Sequence, residues 1–174
     1  MTKRLAAVAV MIVAMLGVAG CAGSPATVAD VGGQRITTGE LSEATAVVER
    51  ALQAEPGAVS TRAVAATLIG GQIADDVAAA TNTTITPDDR AKFIATANAP
   101  ILSQLAADPA ARDFLDDLID PALVQQKLGA PAYLELSQQV PLTINPAYGS
   151  WSYQTGGLDG VSTGSLSVPA PAAA

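Results

Sequence analysis

The position of its single cysteine limits this chain to folds that hold together without a disulfide. A basic pair, Lys3 and Arg4, is followed by an apolar stretch from Leu5 to Leu16 and then by a few residues, mostly small, that lead to Cys21. This order is typical of an export signal that is removed from the mature protein. Exported compartments are oxidising, but a disulfide needs two cysteines. We therefore expect the folded part of the chain to depend on its apolar core.

The residues around Cys21 resemble a bacterial lipobox, in which valine or leucine, a small residue and glycine or alanine precede the cysteine. Val18, Ala19 and Gly20 fill these three positions. The motif implies that diacylglycerol is attached to Cys21 through a thioether and that the chain is cleaved just before it. One alternative is an uncleaved transmembrane helix, although the run from Leu5 to Val18 is shorter than the roughly 20 apolar residues needed. Another alternative is an ordinary secreted protein that is cleaved nearby.

This interpretation divides the chain into four parts. Residues 1–20 are the signal, 21–26 a lipidated tether, 27–155 a helical domain, and 156–174 a tail of mainly glycine, serine, proline and alanine that we expect to be disordered. Two acyl chains are enough for stable anchoring. The predicted location is the cell membrane, with the domain lipid-anchored on the extracytoplasmic face.

The charge of the mature chain argues against nucleic acid as a partner. Loss of Lys3 and Arg4 lowers the number of basic residues from 9 to 7, against 16 acidic residues, which gives a formal charge of −9. Phosphate backbones and anionic headgroups repel such a surface. Lipid rather than charge is therefore expected to hold the protein at the membrane.

Helix-start signals recur along the domain. Thr37 and Glu40 form a capping-box pattern that predicts a helix ending before Pro56-Gly57, and a second helix is predicted from Ser60 to about Ala80. In that helix, Gly70-Gly71 indicates a bend or a close helix contact. Thr86-Pro87 predicts a third helix that stops before Pro100, and Asp108-Pro109 and Asp120-Pro121 predict helices over 109–119 and 121–138.

Two short segments near the ends of the domain alternate like strands. They are Thr27 to Val31, before the glycine pair Gly32-Gly33, and Leu142 to Asn145, before a turn over 146–149. The predicted fold class is mainly α. It is a bundle of about five helices with a small two-stranded β element formed by the N- and C-terminal strands of the domain.

The segment from Ala29 to Leu41 resembles the opening of the SurA N-terminal domain family, which also begins PrsA-type foldases. The family pattern is a strand, an Asn-Gly turn, Ile-Thr and then Glu-Leu opening a helix; here Gly32 replaces the asparagine, and a Gly-Gly turn keeps the geometry. The segment from Asn145 to Trp151 is similar to one in lipidated actinobacterial members. The resemblance covers about residues 27–153.

In the full-length foldases, the helical domain binds unfolded polypeptide and a parvulin domain isomerises prolyl bonds. No parvulin-sized segment follows residue 153 here. The resemblance therefore implies a chaperone-like holdase that binds unfolded or partly folded exported polypeptides and lacks the isomerase. The alternative is a structural or scaffolding lipoprotein that docks one dedicated cell-envelope partner. A carrier with an apolar ligand cavity between helices is a third hypothesis.

The residue inventory offers little for catalysis. The chain has no histidine, its one cysteine is assigned to lipid, and no phosphate-binding glycine loop is present. We therefore expect no enzyme activity, no cofactor and no small-molecule substrate. The acids Asp113, Asp116, Asp117 and Asp120 lack the loop ligands of a calcium site and are interpreted as a solvated helix face, so no metal is expected.

Three of the six aromatic residues, Tyr148, Trp151 and Tyr153, cluster after the last predicted strand. Aromatic side chains are frequent anchors at interfaces, which makes these three the candidate client-binding residues. The alternative, which we favour at this point, is that they pack the outgoing chain onto the helical body.

Overall fold

The computed structural model describes residues 26–159. The signal, the lipobox residues Val18, Ala19 and Gly20, and Cys21 lie outside the described residues, as does the chain from 160 onward. The α-helices of the described part are α1 Thr38–Ala51, α2 Thr61–Thr81, α3 Pro87–Ala97, α4 Pro100–Ala107, α5 Arg112–Leu128 and α6 Ala130–Ser137. The strands are β1 Thr27–Val31, β2 Gln34–Thr37, β3 Leu142–Ile144, β4 Ser150–Ser152 and β5 Gly157–Asp159.

The capping signals place the first three helices where the sequence predicts them. Glu40 N donates to Thr37 Oγ1 at 3.2 Å, while Thr37 N donates to the Glu40 carboxylate at 2.7 Å. Thr86 and Asp89 make the same reciprocal pair at the start of α3. Each pair satisfies helix donors that would otherwise lack a partner, so the starts of α1 and α3 are confirmed.

Helix α2 is the centre of the fold and packs most extensively on α5. Its buried face consists of Val64, Ala65, Ile69, Gly71, Ile73, Ala74 and Val77. Among the described residues, α2 is the one helix long and apolar enough to cross a membrane. The central helix of a globular core has the same length and composition, and the packing of α2 against α5 and the sheet accounts for its apolar character here.

The second half of the helical region differs from the sequence prediction. Helix α4 was missed, since Ala99 at its start offers no side-chain cap. Asp108-Pro109 begins only a 3₁₀ turn, Pro109–Ala111, before α5. Asp120-Pro121 begins no helix, because Pro121 lies inside α5 and the Asp120 carboxylate binds Arg90. The predicted helix over 121–138 is divided at Gly129, whose φ of 85° ends α5.

The structure is mainly helical with a small antiparallel sheet, as predicted, but the β content is larger than two strands. The sheet has the order β2-β1-β3, so β1 pairs with β2 on one side and with β3 on the other. Gly32 and Gly33, at φ values of 58° and 86°, make the β1–β2 turn, which needs two left-handed residues.

A separate hairpin joins β4 to β5 and corrects the predicted start of the tail. Trp151 lies opposite Leu158 across the two strands, and both side chains pack against the core. Residues 157–159 are therefore ordered rather than part of a disordered segment. The rest of the predicted tail, 160–174, lies outside the described residues.

The glycine pair in α2 marks a close helix contact. A methyl group on Gly71 would lie 2.6 Å from Cβ of Asp117 on α5, whereas one on Gly70 would lie 3.6 Å from Trp151 Cη2, an ordinary contact. The backbones of α2 and α5 approach each other most tightly at Gly71 because a side chain is absent there.

Gly71→Ala is expected to lower the free energy of unfolding by about 2 kcal/mol, since α5 must move away from α2. Gly70→Ala is the matched control. It should be neutral, or stabilising by up to about 1 kcal/mol, because alanine favours a helix more than glycine does. Urea denaturation monitored by circular dichroism measures both, and equal effects at the two positions would contradict the close contact at Gly71.

Candidate functional site

A groove of about 540 Å³ opens between α2, α5, α6 and the β4–β5 hairpin. The small residues Ala66 and Gly70 of α2 form part of its lining, and Pro121 and Ala122 of α5 form another part. Because these side chains are short, the helices leave a depression where larger side chains would have filled the space. The volume is in the range of ordinary ligand-binding clefts.

Aromatic side chains from two elements form the walls. Trp151 and Tyr153 of the hairpin region pack edge to face, with ring centroids 6.5 Å apart and an interplanar angle of 84°. Tyr133 of α6 lines the same groove. All three are partly buried against the core, so they both hold the hairpin in place and present surface to the groove. For Trp151 and Tyr153, packing of the outgoing chain onto the helical body is therefore compatible with a binding role.

Tyr148, the third candidate, is not part of this groove. It lies in the 3₁₀ turn Pro146–Tyr148, and its carbonyl oxygen accepts a hydrogen bond from Arg62 Nη2 at 3.1 Å. The structure thus brings together two of the three predicted binding residues. It adds Tyr133 and two of the large apolar side chains that remain most exposed, Leu118 and Leu134.

The interpretation of the four α5 acids as a solvated face is wrong for two of them. Asp120 is only 5% exposed and receives both Arg90 Nε at 2.8 Å and Arg90 Nη2 at 2.5 Å. Asp117 is largely covered at the crossing of α2 and α5. Asp113 is exposed, as predicted, and Asp116 lies 3.4 Å from Arg90 Nη1. The prediction fails because α2 and α3 pack against the face of α5 that carries these acidic residues.

Asp117 is the electrostatically unusual group of the groove. Burial raises the pKa of its carboxyl to about 7, with smaller contributions from Asp75, Asp120, Asp113 and Asp116. No hydrogen bond from the described residues stabilises the charged form. Near neutral pH this carboxyl is therefore divided between its neutral and ionised forms.

The signal in the sequence that bears on Asp117 is the glycine pair of α2. Asp117 follows Phe114 by three residues on α5, so it borders the apolar face, and Gly71 provides the space beside it. The helical spacing of apolar residues predicts that an aspartate such as Asp117 lies on the solvent-exposed face. Only the position of α2 in three dimensions shows that this one is covered.

A second groove, of about 470 Å³, lies between α1, β2, α2 and α5. Its lining combines Phe114 and Val47 with Arg35 and the acids Glu40, Glu43 and Asp113. Asp117 lies between the two grooves and lines both of them. Trp151, Tyr133 and Tyr153 are absent from this lining. Among residues 26–159, no set of three histidine, cysteine, aspartate or glutamate side chains is arranged to hold a metal ion.

Comparison of the chain with protein-family models, with curated proteins and with solved structures found no match. The resemblance of residues 29–41 to the SurA N-terminal domain family therefore stays a prediction.

Proposed function

We propose that this protein is a membrane-anchored, chaperone-like holdase whose groove binds apolar segments of unfolded exported polypeptides. The observation that carries the proposal is the groove between α2, α5, α6 and the β4–β5 hairpin, with aromatic walls and with Leu118 and Leu134 on its border. Apolar and aromatic surface of this kind gains free energy when an apolar partner removes it from water.

Polar side chains in the same groove suit a polypeptide better than a purely apolar ligand. Thr67 of α2, Gln125 of α5 and Gln154 of the hairpin turn lie among the apolar groups. Hydroxyls and amides both donate and accept hydrogen bonds, so they are able to pair with the main chain of an extended segment. Binding of this kind needs neither a nucleotide nor a cofactor.

The proposed anchor would hold the start of β1 close to the membrane. Five residues separate Cys21 from β1, which begins at Thr27. Fully extended, they span about 20 Å at most. Polypeptides would be met as they emerge at the outer face of the membrane, with the domain held there by diacylglycerol.

The test is suppression of aggregation by the mature chain, residues 21–174, made soluble by Cys21→Ser. Light scattering of two or three unrelated unfolded proteins is expected to fall at a few-fold molar excess of this chain. Leu134→Ser should weaken the effect, because it removes apolar surface from the groove. Ile101→Ser is the matched control, since Ile101 is 46% exposed on α4, outside the groove. Absence of suppression at several-fold excess would overturn the proposal.

The runner-up hypothesis gives a different result in the same experiment. A scaffolding lipoprotein would protect none of the unrelated clients and would co-purify with one dedicated envelope partner. A carrier of small apolar ligands would also protect none, but would bind such ligands without any protein partner.

Cys21→Ala is expected to release the protein from the membrane fraction, because the acyl chains supply the anchoring free energy. Immunoblotting of membrane and soluble fractions measures the distribution. Retention of the variant in the membrane fraction would mean that the N-terminal apolar segment is itself a span.

A further inference from the structure

We infer that this groove recognises a basic side chain carried within an apolar polypeptide segment, with Asp117 as the charge partner and Trp151 and Tyr153 as the faces that cover it. The inference rests on the proposed function only in taking a polypeptide as the occupant. The preference for a basic side chain depends on the residues that line the groove.

The groove contains a carboxyl group and no cation. Asp117 lines it, and none of the described lining residues is lysine or arginine. The nearby Arg90 is already engaged by Asp120 through two hydrogen bonds and by Asp116. A partly buried carboxylate without an internal partner is stabilised most by a cation that an occupant brings.

The aromatic walls favour the same occupant. Trp151 and Asp117 lie beside neighbouring positions of α2: the Cη2 edge of the indole is next to Gly70 and the carboxylate is against Gly71. The face of a tryptophan attracts ammonium and guanidinium groups, and it also packs against their aliphatic stems. A lysine or arginine entering beside Trp151 would therefore satisfy both a charge and an apolar surface.

The charges around Asp117 disfavour an acidic segment. The groups that act on it are four other carboxylates from α2 and α5: Asp75, Asp113, Asp116 and Asp120. Arg90 of α3 is paired with two of these, Asp116 and Asp120. The sum of these charges is negative. It attracts a basic segment and repels an acidic one.

Binding of a cation is coupled to loss of a proton. Below neutral pH the Asp117 carboxyl is mainly neutral, because burial raises its pKa to about 7. An occupant with a positive charge favours the ionised form. Its affinity is therefore expected to rise as pH increases from 6 to 8, whereas the affinity of an uncharged apolar segment is expected to stay constant.

The test uses blocked heptapeptides of leucine and alanine with lysine, glutamine or glutamate at the centre, and the Cys21→Ser mature chain. Calorimetry gives the affinities. Fluorescence of Trp151, the one tryptophan of the chain, reports whether the peptide is in the groove. At pH 8 the lysine peptide is expected to bind about tenfold more tightly than the glutamine peptide, and the glutamate peptide most weakly.

Asp117→Asn should bring the ratio of lysine to glutamine affinity close to one. Asp113→Asn removes the same charge one turn earlier on α5, at an exposed position outside this groove. Because Asp113 acts on the occupant only at long range, this variant should lower the ratio much less than Asp117→Asn does. Circular dichroism checks that both variants fold.

Equal affinity of the wild-type chain for the lysine and glutamine peptides would overturn the inference, as would binding without a change in Trp151 fluorescence. Equal loss of selectivity in the two aspartate variants would also overturn it, because long-range charge would then be the cause. If aggregation is suppressed without lysine selectivity, the holdase proposal stands and this inference fails. If the chain selects the lysine peptide but does not suppress aggregation, the inferred binding site stands and the holdase proposal fails.

Discussion

Arg90→Met is expected to lower the free energy of unfolding by about 3 kcal/mol at pH 7, because it leaves the buried carboxylate of Asp120 without its partner. The guanidinium reaches Asp120 with two donors, at 2.8 and 2.5 Å, and the Asp120 side chain is only 8% exposed. Methionine keeps much of the apolar stem of arginine, so the loss reports mainly on the charge and its hydrogen bonds.

Arg50→Met is the matched control for this prediction. It removes the same charge from a pair with Asp108, at 3.2 Å, in which the arginine side chain is 59% exposed. Exposed pairs of this kind contribute less than about 1 kcal/mol. Urea denaturation of both variants measures the difference. Similar losses would mean that Asp120 is well solvated in solution, contrary to its burial between α3 and α5.

Asp117→Asn is expected to stabilise the fold by about 2–3 kcal/mol at pH 8 and to have little effect at pH 4. The carboxyl has a pKa of about 7 in the folded chain, against an ordinary value of 3.8. Folding favours the neutral form of this carboxyl. The neutral carboxyl therefore contributes its full stabilisation of the fold below pH 4, and this stabilisation is lost as pH rises through 7. Partial contact with solvent keeps the effect below the full value of that shift.

Asparagine has the shape of the neutral acid and does not ionise, so the variant should lose this part of the pH dependence. Thermal unfolding between pH 4 and pH 8 measures it, with Asp113→Asn as the control. A variant that is as sensitive as the wild-type chain between pH 5 and pH 8 would show that Asp117 is not the group responsible.

The sequence predicts local features of this fold well, because their hydrogen bonds span only a few residues. The boxes Thr37/Glu40 and Thr86/Asp89 are examples, and so is the turn at Gly32-Gly33. Helix α4 was not predicted, since its start at Ala99 has no side-chain cap. The sequence predicts a helix start at Pro121, but Pro121 lies inside α5, which packs along α2 and continues through it.

The candidate site depends on contacts between residues that are distant in the sequence. The sequence shows the clustering of Trp151 and Tyr153, but it does not show that Trp151 lies beside Gly70. Strand β5 lies in a segment whose composition is typical of a disordered tail, and only its pairing with β4 gives it structure. The coverage of Asp117 likewise depends on α2, some 45 residues earlier in the chain.

The strand order would have a mechanical consequence if the proposed lipid anchor holds the domain. β1, the strand next to the proposed tether, is the central strand, with hydrogen-bonded neighbours on both sides. Two more hydrogen bonds hold the start of β1 and the residue before it. The Thr27 carbonyl accepts from Asn145 Nδ2 at 2.8 Å, and the Ala26 carbonyl accepts from Thr38 N at 2.8 Å. A force between the anchor and a bound polypeptide would act on the β1–β2 and β1–β3 hydrogen bonds at the same time. With such an anchor, the domain would resist force applied at its N-terminal end.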